Sequence, residues 1–339
     1  MTLAGSGERL APRPGPRAAT HALVESPTQL LNVIELAHAT DGDELGELRV
    51  AVLAPAPGRS REQLRGVVAL AREQGLEVSW HEPRSGGASA SRTIRGLLAE
   101  LGRTRRLVLG DPFSAVLQVL VGLVRPTEVT VVDDGTATLE LVRQRVAGRH
   151  ARPVPEGPSR LRLFTCMPLP GVGLESAGVE VRPNTYSWLR SRWSHPEVRD
   201  GVDLVGTALV EAGVVDATAY VAGVGRLVEQ QGVTRYLAHR RESDEKLARI
   251  RTHGVEIVLP GLPLEIEVRR GPVGATLIGF PSTVVHTLPV VLAGTRVLTL
   301  VCVVPEGWYL PDADPAAGAF LRRVTSSALR NPALAAVGC

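Results

Sequence analysis

The hydrophobic residues in the first half of the chain form short continuous runs, separated by segments in which they recur at helical spacing. The run His21–Val24 ends at Ser26-Pro27, and residues 28–39 then carry leucine and isoleucine three or four positions apart. Runs of β-branched residues and leucine without alternation are typical of parallel strands that are covered on both faces. The pattern predicts further strands at 48–54, 76–80, 106–110 and 128–132, with helices at 60–74, 91–101 and 114–124.

A segment rich in proline, glycine and arginine follows, and a similar pattern then resumes. It predicts strands at 161–166, 234–238, 256–259, 275–280 and 296–301, and helices at 216–231, 242–252, 282–292 and 314–329. Residues 168–212 show no clear period. We therefore predict an α/β protein in which two Rossmann-like domains, 21–148 and 161–339, face an interdomain cleft. Residues 149–160 are the predicted linker, and residues 1–20 a disordered leader.

Composition adds limits to this picture. The chain has 339 residues, 44% hydrophobic and 22% charged, which is sufficient for two cores and disfavours disorder or a coiled coil. A net charge of +3 with 4% aromatic residues gives no indication of nucleic-acid binding. Of the 38 basic residues only Lys246 is lysine, a bias that a genome rich in G and C would produce. Where such arginines do bind a ligand, their planar fork suits phosphate or carboxylate.

The cysteines and the most apolar stretch both indicate a cytoplasmic protein. The chain has three cysteines, Cys166, Cys302 and Cys339. They show neither a CxxC motif nor a metal-like spacing, and we expect them to be reduced. The leader lacks the apolar core of a secretory signal. Residues 284–304 are apolar but contain Arg296 near their middle, which costs about 2.5–3.5 kcal/mol on insertion scales, so we expect a buried core segment.

Two groups of polar residues follow predicted strands. Asp133-Asp134-Gly135 ends the strand at 128–132, where an acid is placed to act as a base, a metal ligand or a hydrogen-bond acceptor. His239-Arg240 follows the strand at 234–238 and is suited to an anion such as phosphate. The alternatives are a turn for the acids and a solvated basic turn for the histidine.

Two further groups lie at predicted helix starts. Ser282 and Thr283 offer hydroxyls and free N–H groups to a phosphate, or else only cap a helix. Glu265 is placed either to accept the hydroxyls of a ribose or to cap. We find no GxGxxG after the first strand, no GxxxxGK[ST], no GxSxG and no HExxH, which disfavours a Rossmann dehydrogenase, a P-loop enzyme, a serine hydrolase or a zincin. Asp312-Ala313-Asp314 lies in a proline-rich stretch and is interpreted as a turn.

In this order, the motifs resemble those of the bacterial sialyltransferases and polysialyltransferases of capsule and lipooligosaccharide assembly. The family has two Rossmann-like domains in the GT-B architecture, with an acidic-acidic-Gly motif, a His-Pro motif and a Ser-Ser/Thr motif. Residues 26–29, Ser-Pro-Thr-Gln, and a Pro-x-x-Pro-Leu-Glu stretch ending at Glu265 add to the likeness. The sequence departs from the family at His239-Arg240, where His-Pro would stand.

The resemblance implies roles for individual residues. Asp133 would be the general base, and His239 would contact or protonate the phosphate of the CMP leaving group. Glu265 would bind the ribose, and Ser282, Thr283 and Arg240 would bind the phosphate. The acceptor-side candidates are Ser26, Gln29 and Asp134.

The implied reaction is an inverting transfer of a sialic acid or related nonulosonic acid from a CMP-sugar to a glycan hydroxyl. The resemblance implies no cofactor and no metal ion, and a glycan or glycolipid acceptor reached at the inner face of the membrane. The alternatives are a GT-B enzyme that uses another nucleotide sugar, such as a UDP-sugar transferase or epimerase, and a non-catalytic nucleotide-sugar binding protein.

Overall fold

The computed structural model describes residues 19–84, 87–102, 104–148, 160–169 and 173–339. Most of the predicted leader and linker therefore lie outside the described residues. Seven strands form the first sheet: β1 (Thr20–Val24), β2 (Leu48–Leu53), β3 (Glu77–His81), β4 (Arg106–Leu109), β5 (Glu128–Val132), β6 (Arg160–Thr165) and β7 (Val179–Pro183). All pairings are parallel, in the spatial order β3-β2-β1-β4-β5-β6-β7.

Helices cover both faces of this sheet, as the continuous apolar strands require. Ser26 begins the first one by accepting the N–H of Gln29 at 3.2 Å. The helices are α1 (Pro27–Ala39), α2 (Gly42–Leu45), α3 (Arg59–Glu73), α4 (Gly87–Leu101), α5 (Ala115–Val124), α6 (Thr136–Val146) and α7 (Ser187–Arg192). One buried apolar cluster lies with α1 and α3, and a second with α4 and α5.

The second sheet has six parallel strands: β8 (Val198–Val205), β9 (Val233–Leu237), β10 (Glu256–Val258), β11 (Val273–Gly279), β12 (Leu298–Val303) and β13 (Leu334–Gly338). Their spatial order is β10-β9-β8-β11-β12-β13. The helices of this half are α8 (Ala217–Gln231), α9 (Asp244–Arg251), α10 (Leu264–Arg270), α11 (Val284–Val291) and α12 (Pro315–Ala328). The predicted class, α/β with two parallel sheets, is confirmed.

The structure corrects the expected division between the halves. Strands β6 and β7, which the sequence placed after the linker, pair with β5 and with each other in the first sheet. The first sheet thus extends to Pro183, and the second begins at Val198. The reason is that the proline-rich segment before Arg160 comes between α6 and β6, both in the first half, rather than between two domains.

Two further expectations concern the end of the chain. Cys302 and Cys339 form a disulfide, with Cα atoms 6.0 Å apart, although we expected reduced cysteines. Their pairing follows from the unpredicted strand β13, which lies beside β12 and brings the two residues together. The apolar stretch 284–304 forms α11 and β12, as expected of a core segment. Among the described residues, no helix has the length and apolar character needed to cross a bilayer.

The two halves contact each other through α1, α3, α7 and the loops of the second sheet. Arg59 of α3 donates to the carbonyl of Glu242 at 3.0 Å, and Gln63 donates to the carbonyl of Pro260 at 2.9 Å. Helix α7 packs on α1, where the carboxylate of Glu35 accepts the N–H groups of Trp188 and Leu189 at 2.9 and 2.8 Å. On the side of the second half, the carbonyl of Arg190 in α7 accepts a guanidinium N–H of Arg269 in α10 at 3.0 Å. These contacts hold the carboxyl ends of the two sheets on either side of one cleft.

Candidate functional site

The cleft contains a cavity of about 510 Å³ between the carboxyl ends of the two sheets. The first half contributes Thr28, Gln63, Asp134 and Gly135 to its walls. The second half contributes the loops that follow β8, β9, β10 and β11, together with part of α12. Ligands of parallel α/β sheets bind at this edge, because the loops that follow the strands converge there.

The two neighbouring acids after β5 have different environments. The carboxyl group of Asp133, which we expected to face His239, is instead 1% exposed and accepts the backbone N–H of Cys166 at 2.7 Å. Burial raises the pKa of Asp133 to about 6. Asp134 is the acid that lines the cavity. Asp133, the expected base, therefore does not line this cavity, and its carboxylate instead connects the ends of β5 and β6 within the first half.

Asp134 is held in place by the residues that we assigned to the acceptor side. The Gln29 amide donates to Oδ2 of Asp134 at 2.9 Å, and its oxygen accepts the N–H of Glu25 at 2.6 Å. Gln29 is 2% exposed and lies over Gly110, where a Cβ would come within 2.2 Å of it. Neither Ser26 nor Gln29 is among the described residues that line the cavity: Gln29 contacts Asp134, and Ser26 accepts the N–H of Gln29.

The surroundings of Asp134 favour a proton-accepting carboxylate. Its pKa is raised to about 6, chiefly by burial, and the charges of Asp111 and Glu25 act in the same direction. The hydrogen bond from Gln29 and the charge of Arg240 act in the opposite direction. A carboxyl group with a pKa near 6 is largely ionised at neutral pH and is still a stronger base than an ordinary aspartate.

The opposite wall is built on the loop that follows β9. Glu242 accepts the N–H of His239 at 2.5 Å and the hydroxyl of Tyr236 at 2.6 Å. Lys246, the one lysine of the chain, lies 2.8 Å from Glu242 and 3.0 Å from Glu211, and is buried. Glu242 and Lys246 are buried charges that pair with each other. Their contacts hold the loop that carries His239 in place without a ligand.

The ring of His239 lines the cavity as a hydrogen-bond donor. Its Nδ1 accepts the N–H of Arg241 at 3.2 Å, which places the proton of the neutral ring on Nε2. Burial lowers the pKa of His239 to about 3, and the charges of Arg240, Arg241 and Lys246 act in the same direction. A bound anion would oppose that effect, because its charge favours the protonated imidazole.

Arg240 and Arg241 both bring positive charge to this wall, and Arg240 is the more buried of the two. It lines the cavity, and in the described part of the chain its guanidinium has neither an ion pair nor a hydrogen bond. Burial lowers its pKa, whereas the charges of Asp134 and Glu265 raise it. Arg240 therefore interacts electrostatically with an acid of each half, Asp134 and Glu265, and its guanidinium is available to bind a ligand anion.

The remaining predicted residues complete the same cavity. Glu265, in the first turn of α10, accepts the hydroxyl of Thr287 at 3.0 Å. Ser282 and Thr283 precede α11, and their carbonyls accept the N–H groups of Val285 and His286 at 3.3 and 3.0 Å. Thr283 packs on Gly135, where a Cβ would lie 2.0 Å from its Oγ1 and where φ is +59°. Glycine is therefore required at the point where the two walls meet.

The structure thus brings six predicted residues to one cavity: Asp134, His239, Arg240, Glu265, Ser282 and Thr283. Sequence reasoning missed Asp111, which follows β4 and acts on Asp134, and the supporting pair Glu242 and Lys246. The one signal in the sequence that could have identified Asp111 is its position directly after the predicted strand at 106–110. Among the described residues, no cluster of three or more histidine, cysteine or acidic side chains is arranged to hold a metal.

Comparisons with known proteins define the fold. No family model matches the sequence, and no curated protein matches it. A crystal structure of an α/β-galactoside α-2,3-sialyltransferase from Photobacterium phosphoreum is similar over 94% of this chain and 98% of that chain, with TM-score 0.51 and 10% identity. The UDP-GlcNAc 2-epimerase of Methanocaldococcus jannaschii, in complex with UDP-GlcNAc and UDP, is similar over 94% and 89%, with TM-score 0.54 and 11% identity.

The chain has the GT-B fold. The UDP-GlcNAc 2-epimerase of Neisseria meningitidis, at TM-score 0.51 and 11% identity, is a third similar structure and covers 93% of this chain and 92% of its own. The GT-B prediction is confirmed, and at this level of identity the likeness concerns architecture. Activity must be argued from the residues of the cleft.

Proposed function

We propose that the protein is an inverting glycosyltransferase that moves a sialic acid or a related nonulosonic acid from a CMP-sugar to a glycan hydroxyl. One observation carries the proposal: a single cavity has a half-buried carboxylate on one wall and a hydrogen-bonding histidine with an unpaired arginine on the other. A base and an anion-binding group on opposite walls are what glycosyl transfer from a nucleotide requires.

In this reaction Asp134 is the general base. Its carboxylate accepts the proton of the acceptor hydroxyl while that oxygen forms a bond to the anomeric carbon of the donor. The bond from the anomeric carbon to the phosphate oxygen breaks, and its electron pair leaves with CMP. Since the transition state resembles an oxocarbenium ion, the base and the stabilised leaving group act at the same moment.

The leaving phosphate is bound by the second half. The Nε2–H of His239 donates to it, and Arg240 balances its charge through the planar guanidinium. The hydroxyls of Ser282 and Thr283, which also line this cavity, add uncharged donors. Glu265, with one carboxylate oxygen held by Thr287, accepts the ribose hydroxyls.

The test is nucleotide release from a panel of CMP-nonulosonic acids and UDP-sugars, measured with and without glycan acceptors. We expect CMP release to increase with acceptor, and Arg240→Ala to raise the Kd for CMP at least tenfold while Arg251→Ala, an exposed arginine on α9, leaves it unchanged. Turnover of UDP-sugars alone would overturn the donor assignment. Binding of nucleotide sugars without turnover of any of them would indicate a binding protein.

A further inference from the structure

A second and larger cavity, of about 1090 Å³, adjoins the one that contains His239. It lies between α6 of the first half and α12 of the second. Asp134 and Phe320 line both cavities, so the proposed base stands where the two meet. We call this second cavity the outer lobe. A molecule in the outer lobe reaches the carboxylate from the side opposite the nucleotide-binding loops.

Much of the outer lobe is apolar. Phe113, Leu139 and Val142 line it from the first half, and Phe320 and Val324 from the second. Val146, at the end of α6, also lines it and is 44% exposed, although it is a large hydrophobic residue. A cavity of this size with such walls favours a ligand with an apolar body, because burial contributes about 25 cal/mol for each Å² removed from water.

The same lobe carries four arginines whose partners differ. Arg143 is bound by Glu140, and Arg322 by Glu306. Arg323 and Arg330 also line the lobe, and their guanidinium groups have no ion pair or hydrogen bond within the described ranges. The acids of the lobe are Glu140, already paired, and Asp111 and Asp134, which interact with each other at its junction with the inner cavity.

His286 of α11 is an independent sign of a ligand in this place. Its side chain lines the outer lobe, is 6% exposed and has an Nε2 atom with no hydrogen-bond partner. Burial lowers the pKa of His286 to about 4, and the charge of Arg330 acts in the same direction. A buried polar atom without a partner is costly, which is expected where a ligand supplies the partner.

We propose that the outer lobe is the acceptor site and that it binds an amphipathic acceptor, one that joins an anionic group to an apolar body. Arg323, Arg330 and His286 bind the anionic group, and the apolar walls cover the rest of the molecule. The acceptor role rests on the proposed function, since it places the acceptor hydroxyl at Asp134. The binding of an anionic amphiphile is a separate claim and is testable without turnover.

The test is calorimetric titration with three probes below any micelle concentration: dodecyl phosphate, dodecyl maltoside and inorganic phosphate. We expect dodecyl phosphate to bind at least tenfold more tightly than either of the others, because only it occupies both parts of the lobe. The double variant Arg323→Ala/Arg330→Ala should weaken the binding of dodecyl phosphate at least tenfold, since it removes both charged donors to the phosphate. The matched control is Arg105→Ala/Arg251→Ala, two exposed arginines outside both cavities.

Three results would overturn the proposal: equal affinity for dodecyl maltoside, equal affinity for inorganic phosphate, or an equal loss in the control variant. CMP titration of the same proteins separates this proposal from the proposed function. If CMP binds normally and the arginine variant leaves dodecyl phosphate unaffected, the outer-lobe proposal fails alone. If the amphiphile depends on Arg323 and Arg330 but no nucleotide binds, the proposed function and the acceptor role fail while the amphiphile site stands.

Discussion

Exchange of either neighbouring acid for its amide tests the site most sharply, because the two carboxylates differ by one position and face opposite ways. In Asp134→Asn the side-chain oxygen still accepts the amide of Gln29, which holds the wild-type carboxylate at 2.9 Å. No buried donor is left without a partner, so we expect a stability change below about 1 kcal/mol. What is lost is the base.

General base catalysis contributes about 100-fold to 10,000-fold, equivalent to roughly 2.7–5.4 kcal/mol at 1.36 kcal/mol for each tenfold. We therefore expect kcat/KM of Asp134→Asn to fall by at least about 100-fold, with the Kd for CMP unchanged. Because the pKa of Asp134 is raised to about 6, wild-type kcat/KM should rise with pH through about 6 and then level. The variant should lack that rise.

Asp133→Asn is the matched control. It should retain kcat/KM within about threefold and instead lose about 1–3 kcal/mol of unfolding free energy, since it places an amide in a site that is 1% exposed. The assay is CMP release in the presence of acceptor, with urea unfolding of each protein. The reasoning is refuted if Asp133→Asn abolishes turnover while Asp134→Asn retains both turnover and the rise with pH.

Three other perturbations test the supports of the site. Gly135→Ala should raise the Kd for CMP and lower Tm, because a Cβ would lie 2.0 Å from Oγ1 of Thr283, whereas Gly122→Ala in open space should leave both intact. Lys246→Met should cost about 3–5 kcal/mol in urea unfolding, because buried Glu242 is left without its partner; a loss below 1 kcal/mol would contradict this. Burial raises the pKa of Glu35 from 4.5 to about 7, so the folded state holds the proton more tightly. Stability should fall as pH rises from about 4.5 to about 7, and Glu35→Gln should flatten that slope; an unchanged slope would contradict it.

The elements that sequence reasoning predicted best are those with uniform patterns. Strands such as β5 end in buried apolar residues, here Val131 and Val132, followed directly by polar ones, so both the strand and its polar end were visible. Strand β8, in the interior of the second sheet, was missed because it contains Arg199 and Asp203. Asp203 is fully buried, paired with Arg199 and bonded to the N–H of Gly274 at 2.7 Å, and such compensation is invisible in a hydrophobic pattern.

The sequence indicated which residues lie at the strand ends around the cleft, but not the direction in which their side chains point. Strand ends placed the Asp133-Asp134 pair and His239 at one cleft, with Asp133 expected to face His239, because parallel strands have their carboxyl ends at one edge. Which of two adjacent acids faces the cleft depends on where the chain turns after Val132, and that turn is set by tertiary contacts such as the bond from Cys166 to Asp133. The role of Gln29 likewise depends on its approach to Gly110, a contact between residues distant in sequence.

The single lysine has a practical consequence for chemical work on this protein. Apart from the α-amino group of its first residue, the chain has one primary amine, and that amine is 3% exposed beneath the loop that carries His239. Acylating reagents and amine crosslinkers therefore meet no accessible lysine on the folded surface. Acylation of Lys246, followed by mass spectrometry, would report how often this loop opens, so one labelling rate measures the local opening of the wall that carries His239.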